Sequence, residues 1–162
     1  MSYGVSNNVS RANNATMDMI SSSVNDAYSV GAALSINGTT TLTGVSISAN
    51  KVVLSSGASY LLEYSGQAYD PDLAWVGSVQ WYNETLNEYI GSPMVIPVAS
   101  GMFFYTARIT RLMARALITA EDFGANATIT LYPRVLSSSS SGTTITLSSS
   151  PYLPRLMVIR VV

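Results

Sequence analysis

The sequence predicts an all-β protein, a sandwich or barrel of about ten short strands. Three observations predict it. Beyond residue 33, apolar residues recur mainly with period two. Clusters of Ser, Thr, Gly and Asn interrupt them at roughly 8–12-residue spacing, as turns do. A helical apolar stripe is suggested only over 105–120, where strand spacing fits as well.

The elements follow in order. Residues 1–32 are polar and rich in Asn and Ser, with sparse apolar positions at Met17, Ile20, Val24 and Tyr28. Those spacings allow a short helix, but without a dense stripe the reading is an extended arm over 1–32, held by a partner through Met17 and Ile20, and a domain over 33–162. Leu34 and Ile36 lead into Asn37-Gly38, a strong hairpin signal, with Thr39–Thr43 as the returning strand. Val45 with Ile47, and Lys51 to Leu54, make the next two strands. Tyr60, Leu62 and Tyr64 share one face of another, and Gln67 to Asp72 form a loop.

Trp75, Gly77, Val79 and Trp81 alternate into a strand, turn and returning strand that end at Gly91; Gly77 marks a bulge or a close backbone approach. Trp81 and Tyr82 are adjacent and belong to opposite faces, which makes Trp81 the core anchor and Tyr82 the candidate contact with a partner subunit. Pro93 and Pro97 restrict Met94–Ile96 to an edge or crossing segment. Arg111–Thr119 is read as a strand because its neighbours are β, with Glu121–Gly124 as its turn. Ala127–Val135, Thr143–Leu147 and Leu156–Val162 complete the set, and Ile129, Leu131 and Val135 share a face.

Only 10% of residues are charged and 48% are apolar, against about 25% charged in ordinary soluble domains. Few charges keep copies apart, so neighbours are expected to cover the surface. Leu61, Met113, Leu117, Met157, Ile159 and Val161 lie on strand faces opposite other apolar residues, and a sheet apolar on both sides must be covered on both. Arg111 and Arg115, with Arg108, would supply interface cations.

The chemistry of catalysis is thinly represented. The chain has no His and no Cys, hence no imidazole base, no thiol nucleophile and neither of the commonest zinc ligands. The nearest carboxylate pairs are Asp70 with Asp72, Glu84 with Glu88, and Glu121 with Asp122, all in expected turns where acids are ordinary solvated residues. Asp70 and Asp72, with Glu63, lack the dense acidic spacing of a strong calcium loop. No enzyme, cofactor or metal is expected.

A net charge of −1 with a single lysine, Lys51, leaves no polybasic footprint for nucleic acid. No apolar run reaches the ~20 residues of a membrane span. The first residues lack the pattern of a secretion leader, so the five Asn-x-Ser/Thr sequons read as chance. Trp75, Trp81, Tyr82, Tyr89, Phe103 and Phe104 suggest packing first and a sugar platform second.

Four stretches together resemble a known family: Tyr60-Leu-Leu-Glu-Tyr64, Val79-Gln-Trp-Tyr-Asn83 followed by Tyr89-Ile-Gly91, Ala127-Thr-Ile-Thr-Leu131, and Leu156-Met-Val-Ile-Arg160. They look like the trimeric jelly roll of the complement-globular-head and tumour-necrosis-factor type, in the versions found in bacteriophage virion proteins. The resemblance covers about residue 40 to residue 162, and the apolar Pro93–Tyr105 departs from the polar loop usual in phage relatives. It implies a jelly-roll sandwich forming a homotrimer about a threefold axis. The expected function is that of a capsid decoration or cement protein on the virion surface, bound to the major capsid protein or other virion proteins through its arm. The alternative it leaves is a fibre domain that recognises host glycans.

Overall fold

The computed structural model describes residues 15–21, 27–34, 36, 38–70, 77–97, 108–138, 144–147 and 155–161. Its strands are β1 (Ala15–Ser21), β2 (Ala27–Ser29), β3 (Val45–Ser48), β4 (Lys51–Ser55), β5 (Ser59–Asp70), β6 (Gly77–Asn83), β7 (Glu88–Ile90), β8 (Ser92–Pro97), β9 (Arg108–Ile118), β10 (Thr128–Ser138), β11 (Thr144–Leu147) and β12 (Arg155–Val161). A single 3-10 turn at Glu121–Phe123 is the one helical element among the described residues, and none there is long and apolar enough to cross a membrane.

All pairings between these strands are antiparallel, and they make two sheets. In sheet 1, β5 is flanked along its length by β9, with β8 beyond; on its other side β12 and then β11 pair with successive parts of it, and β1 and β2 lie outside those. Sheet 2 has the order β3-β4-β10-β6-β7. The partners nest across the chain: β1 pairs with β12, β4 with β10, β5 with β9, and β6 with β7.

Alternation builds the core between the sheets. Sheet 1 sends in Tyr60, Leu62, Tyr64, Ala114, Ala116, Ile118, Leu156 and Val158, and sheet 2 answers with Val52, Leu54, Val79, Trp81, Ile129, Leu131 and Val135. Trp81 is fully buried, and its indole N–H donates to the carbonyl of Ala114 across the sandwich at 3.0 Å. The chain crosses from sheet 2 to sheet 1 at Gly91, which has φ +69° and lies so close to β9 that a Cβ would sit 2.0 Å from the Arg115 carbonyl oxygen. Only glycine fits there.

Arg111–Thr119, ambiguous by spacing, is a strand, and Glu121–Gly124 is its turn. Asp122 closes that turn by accepting hydrogen bonds from the Thr119 N–H at 2.6 Å and hydroxyl at 2.9 Å. β8, with its two prolines, pairs only with β9 among the described strands. Pro133 lies inside β10, where the neighbour changes from β4 to residues 31–34. Its carbonyl accepts from the Leu34 N–H at 2.8 Å, and its missing N–H falls at that junction.

Several expectations require correction. The Asn37-Gly38 hairpin does not form, and Gly38–Leu42 belongs to no strand; Asn37 lies outside the described residues. Leu34 and Ile36 are buried, with their N–H groups bonded to the Pro133 and Asn50 carbonyls, so that edge of the segment is taken by β10 and the 49–50 turn and not by Thr39–Thr43. The tight hairpin is instead at Ala49-Asn50, both at positive φ. β5 runs on to Asp70, so the loop expected from Gln67 starts later. The irregularity expected at Gly77 falls on the facing strand, between Val135 and Ser137. Within the expected arm, Ala15–Ser21 and Ala27–Ser29 are strands of sheet 1, neither helix nor extension, so the sheet begins before residue 33. Trp75, Phe103 and Phe104 lie outside the described residues.

Candidate functional site

The candidate site is the outer face of sheet 1. Because β5, β9 and β12 alternate strictly, residues between the core positions face away from sheet 2. Register sets them in rows: Ile159, Leu61 and Leu117 in one, Met157, Glu63 and Arg115 in the next, Arg155, Ser65 and Met113 in a third. Leu117 is 61% exposed and Val161 44%, while Leu61, Met113, Met157 and Ile159 are half-buried. Core partners one residue away, such as Leu62 and Val158, are fully buried.

One ion pair stands in this apolar surface. The Arg115 guanidinium donates from Nε to the Glu63 carboxylate at 3.0 Å and from a terminal nitrogen to the same oxygen. The Glu63 side chain is 19% exposed and Arg115 53%. Glu63, considered for calcium, is thereby engaged by a cation.

The structure assembles most of the expected contact residues on this face and separates others. Leu61, Met113, Arg115, Leu117, Met157, Ile159 and Val161 share it, and Met17 is the register partner of Ile159 on β1. Ile20 instead pairs in register with Leu156, a core residue. Arg111 continues the alternation of Met113 and Arg115, opposite Gln67; its side chain is not described.

Tyr82 belongs elsewhere, on the outer face of sheet 2, opposite the core position of Trp81. Little of it is exposed, because Tyr89 packs edge-on at 5.0 Å, Tyr132 lies at 5.5 Å, and the Arg134 guanidinium sits 4.5 Å above the ring centre. Its hydroxyl donates to Asn87 Oδ1. Lys51 lies over Tyr132 at 4.9 Å and pairs with Glu84 at 2.6 Å. Cations thus occupy ring faces that a sugar would need, and Tyr89, 44% exposed, is the accessible ring. The sequence signal for Tyr132 and Arg134 is alternation along β10, uninformative until β10 is placed beside β6.

The other acids with described side chains are structural or solvated; the Asp70 side chain and Asp72 lie outside the described residues. Glu84 faces Lys51, Asp122 caps its turn, and Glu88 is exposed. Asn83 heads a sequon but is buried, its Oδ1 accepting from the Thr85 and Leu86 N–H groups at 3.1 and 3.2 Å. Among the described residues no group of three or more acids could hold a metal. No family model matches the chain, and no curated protein matches it.

Proposed function

We propose that this chain is a structural protein of a bacteriophage virion, a homotrimeric jelly roll that decorates and cements the head shell. The nested pairing supports the jelly roll: with β2, β3, β8 and β11 set aside, the eight strands β1, β4, β5, β6, β7, β9, β10 and β12 pair first with last, second with seventh, third with sixth and fourth with fifth. The observation that carries the assembly reading is the outer face of sheet 1, where Leu117 and Val161 stand exposed among further apolar residues, backed by an apolar core face. A two-sided apolar sheet is stable in water only when both sides are covered. Three copies sharing that face about an axis would cover it, each contact burying on the order of 2,000 Å².

Catalysis, nucleic acid and membrane have no part in this reading, which takes its support from a charge-poor chain without His or Cys. Attachment to the major capsid protein, or to another virion protein, is assigned to the segment before β1. Mass measurement in solution and copy number in intact particles test the reading together. A trimer present in many copies around the shell is expected; a monomer, or a few copies at the tail, would overturn it. Removing residues 1–14 is expected to leave the trimer intact and abolish capsid binding.

A second reading, a fibre domain that binds host glycans, is favoured by the exposed Tyr89 ring beside Arg134. Saturable binding on a glycan array, lost in Tyr89→Ala, would support it in place of cementing.

A further inference from the structure

We infer that Arg134, Tyr89 and Gln80, on the outer face of sheet 2, form a binding site for an acidic sugar, with its carboxylate on Arg134 and its ring on Tyr89; this rests on the reading of the exposed Tyr89 as a glycan contact. Arg134 is held in place by the chain itself. Its Nε–H donates to the Gly31 carbonyl at 2.8 Å, and Gly31 is tied in turn to the Val135 carbonyl by its own N–H. The guanidinium lies 4.5 Å from the Tyr82 ring centre and 5.7 Å from that of Tyr89. These contacts leave the terminal nitrogens with no hydrogen bond or ion pair among the described residues. A planar cation fixed at one edge and bare at the other is arranged to take a carboxylate, and it has little rotamer freedom left to lose on binding.

Charge and surroundings narrow the ligand. Lys51 on the same face is paired with Glu84 at 2.6 Å, which leaves Arg134 as a single uncompensated positive charge. Glu88 is exposed, but it alternates to the other side of β7 from Tyr89. A single charge matches a carboxylate better than a phosphate dianion, which ordinarily collects several cations or a nest of backbone N–H groups. Beside the guanidinium, the Tyr89 ring is 44% exposed and offers an apolar plane to the C–H face of a pyranose. Gln80 is the register partner of Arg134, and its Nε2 donates to the Gly91 carbonyl at 2.8 Å. Its amide oxygen has no partner among the described residues and serves as the acceptor for a sugar hydroxyl. Cation, plane and acceptor thus come from three neighbouring strands, β10, β7 and β6.

The test applies the full chain to an array of sialylated, uronate-bearing, sulfated and neutral oligosaccharides, then titrates the best-bound carboxylated member and its methyl ester by calorimetry. The free acid is expected to bind about tenfold to a hundredfold tighter than the ester. R134Q is expected to lose that preference, and R134K, which keeps the charge without the planar fork, to retain part of it. Tyr89→Ser is expected to weaken acid and ester alike, and circular dichroism checks that each variant is folded. The comparison of acid with ester needs no variant, so it decides even where R134Q fails to fold. Equal binding of acid and ester, a folded R134Q that keeps the preference, or tighter binding of the sulfated members would overturn this inference and leave the glycan reading standing. No saturable binding to any member of the array would overturn the glycan reading and this inference with it.

Discussion

Ala49 and Asn50 turn the chain between β3 and β4 with φ of 49° and 61°, the left-handed region in which a Cβ is unfavourable. Asn tolerates it; Ala has no side-chain hydrogen bond to offset it. Ala49→Gly is expected to raise stability by about 0.5–1 kcal/mol, the relief of strain exceeding the added freedom of the unfolded chain. A denaturant midpoint shifted upward with unchanged slope is the confirming result; a downward shift would mean that the turn carries no strain. Trp81 shows the opposite balance. Its ring is fully buried in the sandwich and its N–H is satisfied by Ala114, so Trp81→Ala loses packing and one hydrogen bond across the core. A loss of ~3–5 kcal/mol is expected in equilibrium unfolding. Tyr82→Ala should cost less, because Arg134 and Tyr132 on the outer face relax toward water.

At the scale of elements, what could be read in advance was what period two encodes. β5, β9 and β10 lie where alternation puts them, and Tyr60, Leu62, Tyr64, Ile129, Leu131 and Val135 face the core. The outer-face residues Leu61, Leu117, Met157 and Ile159 followed from the same alternation. Pairing between distant segments was not legible. β1 carries no dense apolar pattern because it is an edge strand whose structure comes from β12, more than a hundred residues away. The Asn37-Gly38 signal is overridden because Leu34 and Ile36 bury against the core and bond to Pro133 of β10 and to Asn50 of the β3–β4 turn. Alternation puts Tyr82 on the face opposite Trp81, but its cover by Arg134 depends on β10 lying beside β6. These relations predict a definite effect of truncation. Removing residues 1–21 strips β1 from β12 and turns β12 into an open edge rich in Leu, Met, Val and Ile. Lower stability and concentration-dependent association beyond a single size are expected, by scanning calorimetry and light scattering. Equal stability of the truncated and full chains would show that β1 contributes nothing to the sheet.

For the molecule as a whole, the decisive contrast is between two outer faces. Sheet 2 covers its tyrosines with Arg134 and Lys51, which gives that surface a polar finish within a single copy. Sheet 1 leaves Leu117 and Val161 in water, with Glu63, Ser65, Arg115 and Arg155 among the described residues of the face. If a second copy supplies the missing cover, unfolding is coupled to dissociation, and the melting temperature of the wild type rises with protein concentration. Leu117→Glu tests this without touching the core, since Leu117 points away from sheet 2 and its neighbours Ala116 and Ile118 keep their places. A charge there repels a covering copy through its desolvation cost. The variant is expected to be monomeric, to melt at a temperature independent of concentration, and to retain the wild-type circular dichroism. A Leu117→Glu protein whose assembly and melting behaviour match those of the wild type would place the subunit contact on another surface.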